Sequence, residues 1–204
     1  LYKYCSLPTF KFTFFLILGV SIFFSIQNIQ VINALVEGNG QAVNLDPSML
    51  SSNPVYTVRD ALLSSPYQAS VIFLPILVSL VYSTNYQFGD DNFTQLLIPN
   101  WKVRLTGFIA SSIVLSLLAT LIFSIVNAII LLIFLDSTLK NYLEFTLFLD
   151  VTVRVMIFAI VLTLLALLLV IVTKKSMTSL IADVLLLVCL LYTSPSPRDR
   201  TRSR

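Results

Sequence analysis

The chain has 204 residues, of which 57% are hydrophobic and 11% charged, and its mean hydropathy is +0.91. Soluble domains carry about 45–50% apolar and about 25% charged residues, so too few charges remain here to cover a water-exposed surface, and disorder is excluded for the same reason. The composition calls for an integral membrane protein. The net charge of +3 is a tail effect, because Arg198, Arg200, Arg202 and Arg204 supply four of the 13 basic residues; it is no signal for nucleic acid.

A spanning helix needs about 20 apolar residues. After Lys11, residues 12–36 are free of charge, and the polar Gln27, Asn28, Gln30 and Asn33 gather toward their end. This is the first predicted helix. Residues 37–60 contain Gly38, Gly40, Pro47 and Pro54 among several Ser and Asn and read as a polar loop closed by Arg59 and Asp60. The second helix is expected from about 67 to 86, kinked at Pro75, followed by a polar connection over 87–104.

Residues 105–135 hold no charge and form the clearest span. At 1.5 Å per residue this run is longer than a hydrocarbon core of about 30 Å, so the helix must tilt, bend or protrude. A short loop over 136–150 leads to a fourth helix over about 151–173, ended by Lys174 and Lys175. A fifth apolar run, 179–192, is too short to span and is interrupted by Asp183; a fifth helix cut by truncation is expected. Residues 1–189 read as one transmembrane domain. Residues 190–204 change composition abruptly, resemble adaptor-derived translation, and are expected to be an artefactual tail. The fold class is all-α: a polytopic helix bundle with four complete spans and part of a fifth. With the N-terminus in the cytoplasm, inside segments carry Lys3, Lys11, Lys102, Arg104, Lys174 and Lys175, against Arg59, Lys140 and Arg154 outside, which favours that orientation. No cleavable signal peptide is evident.

Catalytic chemistry has little to work with. Zero histidine removes the commonest general base and metal ligand, and two cysteines, Cys5 and Cys189, make neither a disulfide framework nor a Cys/His metal site. Five glycines never fall into a nucleotide-binding pattern. No catalytic residue, metal ligand or cofactor is assigned to this chain. Asp90 and Asp91 are adjacent, point about 100° apart on a helix, and suit the positive end of a helix dipole better than a metal. From that point Phe93, Leu96 and Leu97 follow at i, i+3 and i+4, giving one apolar face before Pro99 ends the turn. A short amphipathic helix between two spans can seat in a partner's groove or rest on the lipid interface.

Ser112, Ser116, Thr120, Ser124 and Ala128 recur every four residues, a small-residue stripe that lets another helix approach closely. Asn127 sits beside it and can hydrogen-bond across helices. Gln27, Gln30 and Asn33 share a face at the outer end of the first helix and, with Asn127, are candidate pathway-lining residues; an interfacial role is the competing reading for that first group. Arg154 can pair with Asp150 at i+4 or snorkel outward. A charge inside an apolar run, as at Asp183, is costly and points to function, with a shallow interfacial place as its alternative. The glycosylation sequon at Asn92 falls on the cytoplasmic side in this orientation.

Between the second and third spans the chain reads Asn85-Tyr86-Gln87-Phe88-Gly89-Asp90, then Leu96-Leu97-Ile98-Pro99, then Lys102 and Arg104. This resembles the permease subunits of ATP-binding-cassette exporters of the type-2 multidrug, bacteriocin or antibiotic-resistance class, whose pattern is roughly Glu-Tyr-x-x-Gly-Thr, a Leu-rich stretch, Pro and basic residues. Tyr86, Gly89 and Pro99 match in spacing; Asn85 and Asp90 depart from the family's Glu and Thr. The match is strongest over about 70–135. The resemblance implies six helices in the full-length protein and residence in a bacterial cytoplasmic membrane. It implies a separate ATPase partner carrying ATP and Mg, and a second permease copy or homologue. It further implies a coupling helix formed by Gly89, Phe93, Leu96, Leu97 and Pro99. The alternatives are a membrane assembly or channel subunit without an ATPase and, less favoured, an intramembrane enzyme.

Overall fold

The computed structural model describes residues 8–36, 54–87 and 100–193. Among the described residues the chain is helical and contains no strand. The first helix, α1 (Pro8–Val36), and α2 (Pro54–Tyr67) both open on a proline, whose missing N–H costs nothing in the first turn. A π-helical turn, Gln68–Phe73, joins α2 to α3 (Leu74–Gln87). There the Leu74 N–H reaches back to the Ala69 carbonyl, five residues upstream. This wider turn immediately precedes Pro75, which has no amide to give Val71 and whose ring would crowd it in a regular α-turn. The remaining elements are α4 (Trp101–Phe134), the single turn α5 (Ser137–Lys140), α6 (Phe145–Thr173) and α7 (Ser176–Thr193).

Among the described residues, four helical segments are long and apolar enough to cross a membrane: Phe10–Ala34, Pro54–Ser83, Trp101–Phe134 and Phe145–Thr173. The protein is thus an all-α bundle with the composition of a multi-pass membrane protein, and its burial pattern agrees. Ser21, Ser25, Ser65, Ser112, Thr120 and Asn127 are buried inside the bundle. Phe12, Phe23, Leu118, Ile133, Phe158 and Leu168 point outward and are at least half exposed. A soluble protein reverses this distribution; a lipid-facing bundle requires it.

The second helix begins about 13 residues earlier than hydropathy predicts, so Arg59 and Asp60 ride on its first turns instead of closing a loop. The reason is a mixed face: Thr57, Val58, Ala61, Leu62 and Ser65 are buried at helical spacing, while Tyr56 and Asp60 look outward. Such a segment averages out as polar although one side is fully packed. Likewise α6 starts at Phe145 instead of 151, and part of the expected loop before it forms α5. Asp136 caps that turn: its Oδ1 accepts the Thr138 amide at 2.8 Å and the Thr138 hydroxyl at 2.6 Å. At α4 the Asn100 side chain accepts from the Lys102 amide at 3.1 Å, which pulls Lys102 and Arg104 into the helix. The 34-residue α4 is about 51 Å long by helical rise, far beyond the hydrocarbon core. Its ends therefore stand in the headgroup zone or beyond. The last turn of α6 closes through Lys174 in the left-handed region (φ 52°), with its N–H on the Val170 carbonyl at 2.9 Å.

Two apolar layers form the interior. One gathers Ile17, Leu74, Leu77, Phe123, Leu167 and Val170, topped by the stacked rings of Phe10, Phe14 and Phe123 at 5.9 and 5.8 Å. The other gathers Ile29, Val58, Leu62, Leu131, Leu135 and Val155. In sequence along α1, α2 and α4, a polar band falls between them.

Candidate functional site: a polar seam inside the bundle

α1 contributes Ser21, Ser25 and Asn28, at i, i+4 and i+7 on one face of an otherwise apolar helix. The Ser65 hydroxyl of α2 donates to the Ser21 carbonyl at 2.8 Å. Its one hydrogen is thereby used, so in the 2.9 Å contact between the two hydroxyls Ser21 is the donor. Asn28 Nδ2 donates to Ser64 Oγ at 2.6 Å. The Ser25 hydroxyl donates to Asn127 Oδ1 of α4 at 2.5 Å.

Asn127 is the centre of this network, and Pro66 explains why. In an α-helix the Leu62 carbonyl would accept from the amide of residue 66, but proline has none. Asn127 Nδ2 donates instead to the Leu62 carbonyl at 3.1 Å and to the Ala61 carbonyl at 3.2 Å. Its oxygen is taken by Ser25, so three helices meet on one buried amide. In a membrane, a backbone group freed by proline must find such a partner.

Of the stripe on α4, Ser112, Ser116, Thr120 and Ser124 are buried and Ala128 is half-buried. Ser112 Oγ donates to its own helix at the Phe108 carbonyl, 2.9 Å away. The hydroxyls of Ser116, Thr120 and Ser124 make no hydrogen bond within the described residues. Asn33 clasps the far end of α4: Nδ2 donates to the Phe134 carbonyl at 2.8 Å and Oδ1 accepts the Asp136 amide at 3.1 Å. Gln27 and Gln30 are exposed on α1, away from the seam. The structure thus brings Asn127 to the stripe and to α1, and places Asn33 at a helix end, apart from Gln27 and Gln30.

A second buried polar contact lies between α3 and α7. The Ser79 hydroxyl donates to the Asp183 carboxylate, and both are buried. Ser83 is one turn on from Ser79 and Ser179 one turn back from Asp183; these two are also buried. Near the start of α6, Arg154 Nε meets Asp150 Oδ1 at 2.9 Å in the i+4 pairing, and Arg59 of α2 adds a second contact to the same carboxylate at 3.3 Å.

Gly89, Phe93, Leu96, Leu97 and Pro99 lie outside the described residues, as do Asp90, Asp91 and the sequon at Asn92. Sequence reading missed Ser21, Ser25, Ser64, Ser65 and Ser79. The i, i+4, i+7 spacing of Ser21, Ser25 and Asn28 was the available signal on α1; for Ser79, whose partner is over a hundred residues away, there was none.

Chemically the seam offers hydroxyls and two amides, Asn28 and Asn127, with no base beside any hydroxyl. No group of three or more Cys, Asp or Glu suited to a metal occurs among the described residues. Hydrogen bonding and close helix approach are what this arrangement can do. No family model, curated protein or solved structure matches the chain.

Proposed function

We propose that this chain is the membrane-spanning subunit of an ATP-binding-cassette exporter, residing in a bacterial cytoplasmic membrane with its N-terminus in the cytoplasm. The observation that carries the reading is the Tyr86, Gly89 and Pro99 spacing in a connection flanked by two spans, α2–α3 before it and α4 after it. In this reading the chain is no enzyme. ATP and Mg act on a separate ATPase subunit, and a second permease copy or homologue completes the pathway. Phe93, Leu96 and Leu97 form the docking face, Gly89 lets the chain turn into it and Pro99 ends it.

The mechanism would be alternating access. Force arriving at residues 89–99 passes directly to α3 and α4, which the connection joins. The polar seam supports this role in two ways. The small residues of α4 let helices slide in close contact. The unpartnered hydroxyls of Ser116, Thr120 and Ser124 can hydrogen-bond water or a polar group once helices part.

The test is affinity purification of the tagged chain from its native host. A stoichiometric ATPase is expected to co-purify and to be lost in the Phe93→Asp/Leu97→Asp double variant while membrane insertion persists. Recovery of the chain in an assembly with no ATPase would contradict the exporter reading and favour a plain membrane-assembly subunit.

A further inference from the structure

Between α2 and α6, at the end of the bundle where both helices begin, lies a cleft of about 310 Å³. One end of it is charged. Arg59 and Asp60 come from α2, Arg154 from α6, and both guanidinium groups touch Asp150 at 3.3 and 2.9 Å. The other end is apolar: Leu63, Tyr67, Val155 and Phe158 line it, with the Tyr67 and Phe158 rings edge-to-face at 6.5 Å. From Arg59 to Tyr67 is about 12 Å along the helix, at 1.5 Å per residue. The cleft therefore changes from ionic to hydrocarbon-like over the depth at which a membrane does.

The charges narrow the choice of occupant. Each guanidinium carries five N–H donors and each contributes one to Asp150, so together they can still bind a phosphate in fork geometry. Asp60 is exposed at the same end and is left to face a cation. Two arginines and two aspartates sum to zero charge, which suits a zwitterion better than an anion. Tyr56, also at the rim, is the residue type that sits at headgroup level.

We propose that this cleft binds a phospholipid carrying a primary amine. Its phosphate lies on Arg59 and Arg154, its ammonium on Asp60, and the start of one acyl chain against Leu63, Tyr67 and Phe158. The proposal stands apart from the exporter reading and needs no ATPase.

The test is native mass spectrometry of the purified chain in mild detergent with equimolar phosphatidylethanolamine, phosphatidylglycerol and phosphatidylcholine. Phosphatidylglycerol has no ammonium, and the quaternary ammonium of phosphatidylcholine has no N–H to donate. Retention of phosphatidylethanolamine about fivefold over either is expected, the scale of one exposed charge contact. Arg59→Gln/Arg154→Gln should abolish adducts of all three lipids. Asp60→Asn, a change at an exposed position, should remove the preference for phosphatidylethanolamine over phosphatidylglycerol while keeping phosphatidylglycerol bound. Equal retention of the three lipids would overturn the proposal. So would undiminished phosphatidylethanolamine binding in a folded double-arginine variant, or a preference unchanged by Asp60→Asn. If the double variant aggregates on size-exclusion chromatography, Asp60→Asn alone decides.

Discussion

Replacing Asn127 with alanine would strand the Leu62 carbonyl that Pro66 has already deprived of its amide, and would release Ser25 as well. Hydrogen bonds within membrane bundles average about 0.6 kcal/mol, with some near 1.7, and a buried group left unpaired adds to that. Asn127→Ala is therefore expected to destabilise the bundle by about 1–2 kcal/mol in a reversible unfolding titration in mixed micelles. Gln30→Ala, at an exposed position, should stay within about 0.5 kcal/mol of the parent. Asp136 makes a separate prediction. The Thr138 hydroxyl, then the Thr138 amide, hold its carboxyl below the usual carboxylate range, with burial opposing them only weakly. A depressed folded-state pKa means that the cap's contribution is complete above the ordinary carboxylate range and is lost as pH falls through the lower folded value. Exchange protection of the Thr138 amide should persist to pH values at which free carboxylates are already protonating, then fall. Asp136→Asn should make it insensitive to pH over that interval.

At the scale of elements, α4 is the helix against which the others are measured, and its two sides behave differently. Thr120 is buried where helices meet, whereas Leu118 is 52% exposed on the outer surface. Thr120→Leu forces extra volume into a close approach and should cost about 1–3 kcal/mol by the same titration; Leu118→Ala, facing lipid, should cost less than Thr120→Leu. The spans of α1, α4 and α6 could be read from hydropathy because residues 12–36 and 105–135 hold no charge and α6 carries its charges, Asp150 and Arg154, only near its start, while the polar groups on α1 and α4 are small or few. α2 could not, because Arg59 and Asp60 share its turns with buried Val58 and Ala61 and pull the average down. The stripe on α4 and the Asp150–Arg154 pair were readable because both follow from spacing within one helix. The clasp of Asn33 on Phe134 and Asp136, and the second contact from Arg59 to Asp150, join residues about a hundred positions apart. No local pattern encodes such pairs. Pro66 and Asn127 form an intermediate case: the proline announces an orphaned carbonyl, but only the packed bundle says which side chain answers it.

For the whole molecule, the distribution of polarity is the governing fact. Among the described residues, buried hydroxyls and the Asn127 amide lie between two apolar layers, large apolar side chains such as Phe12, Leu118 and Phe158 face outward, and charges gather toward the ends of helices, with Asp183 the buried exception. This explains why a chain with so few charges needs the bilayer as its solvent. The central claim is that the connection over residues 87–104 faces the cytoplasm and takes force there. The most direct measurement is single-cysteine accessibility in a background with Cys5 and Cys189 replaced by serine, using a membrane-impermeant maleimide on right-side-out and inverted vesicles. Leu96→Cys is predicted to react only in inverted vesicles, and Thr138→Cys, in the exposed turn at the opposite end of α4, only in right-side-out ones. Labelling of Leu96→Cys from the outside would contradict the account.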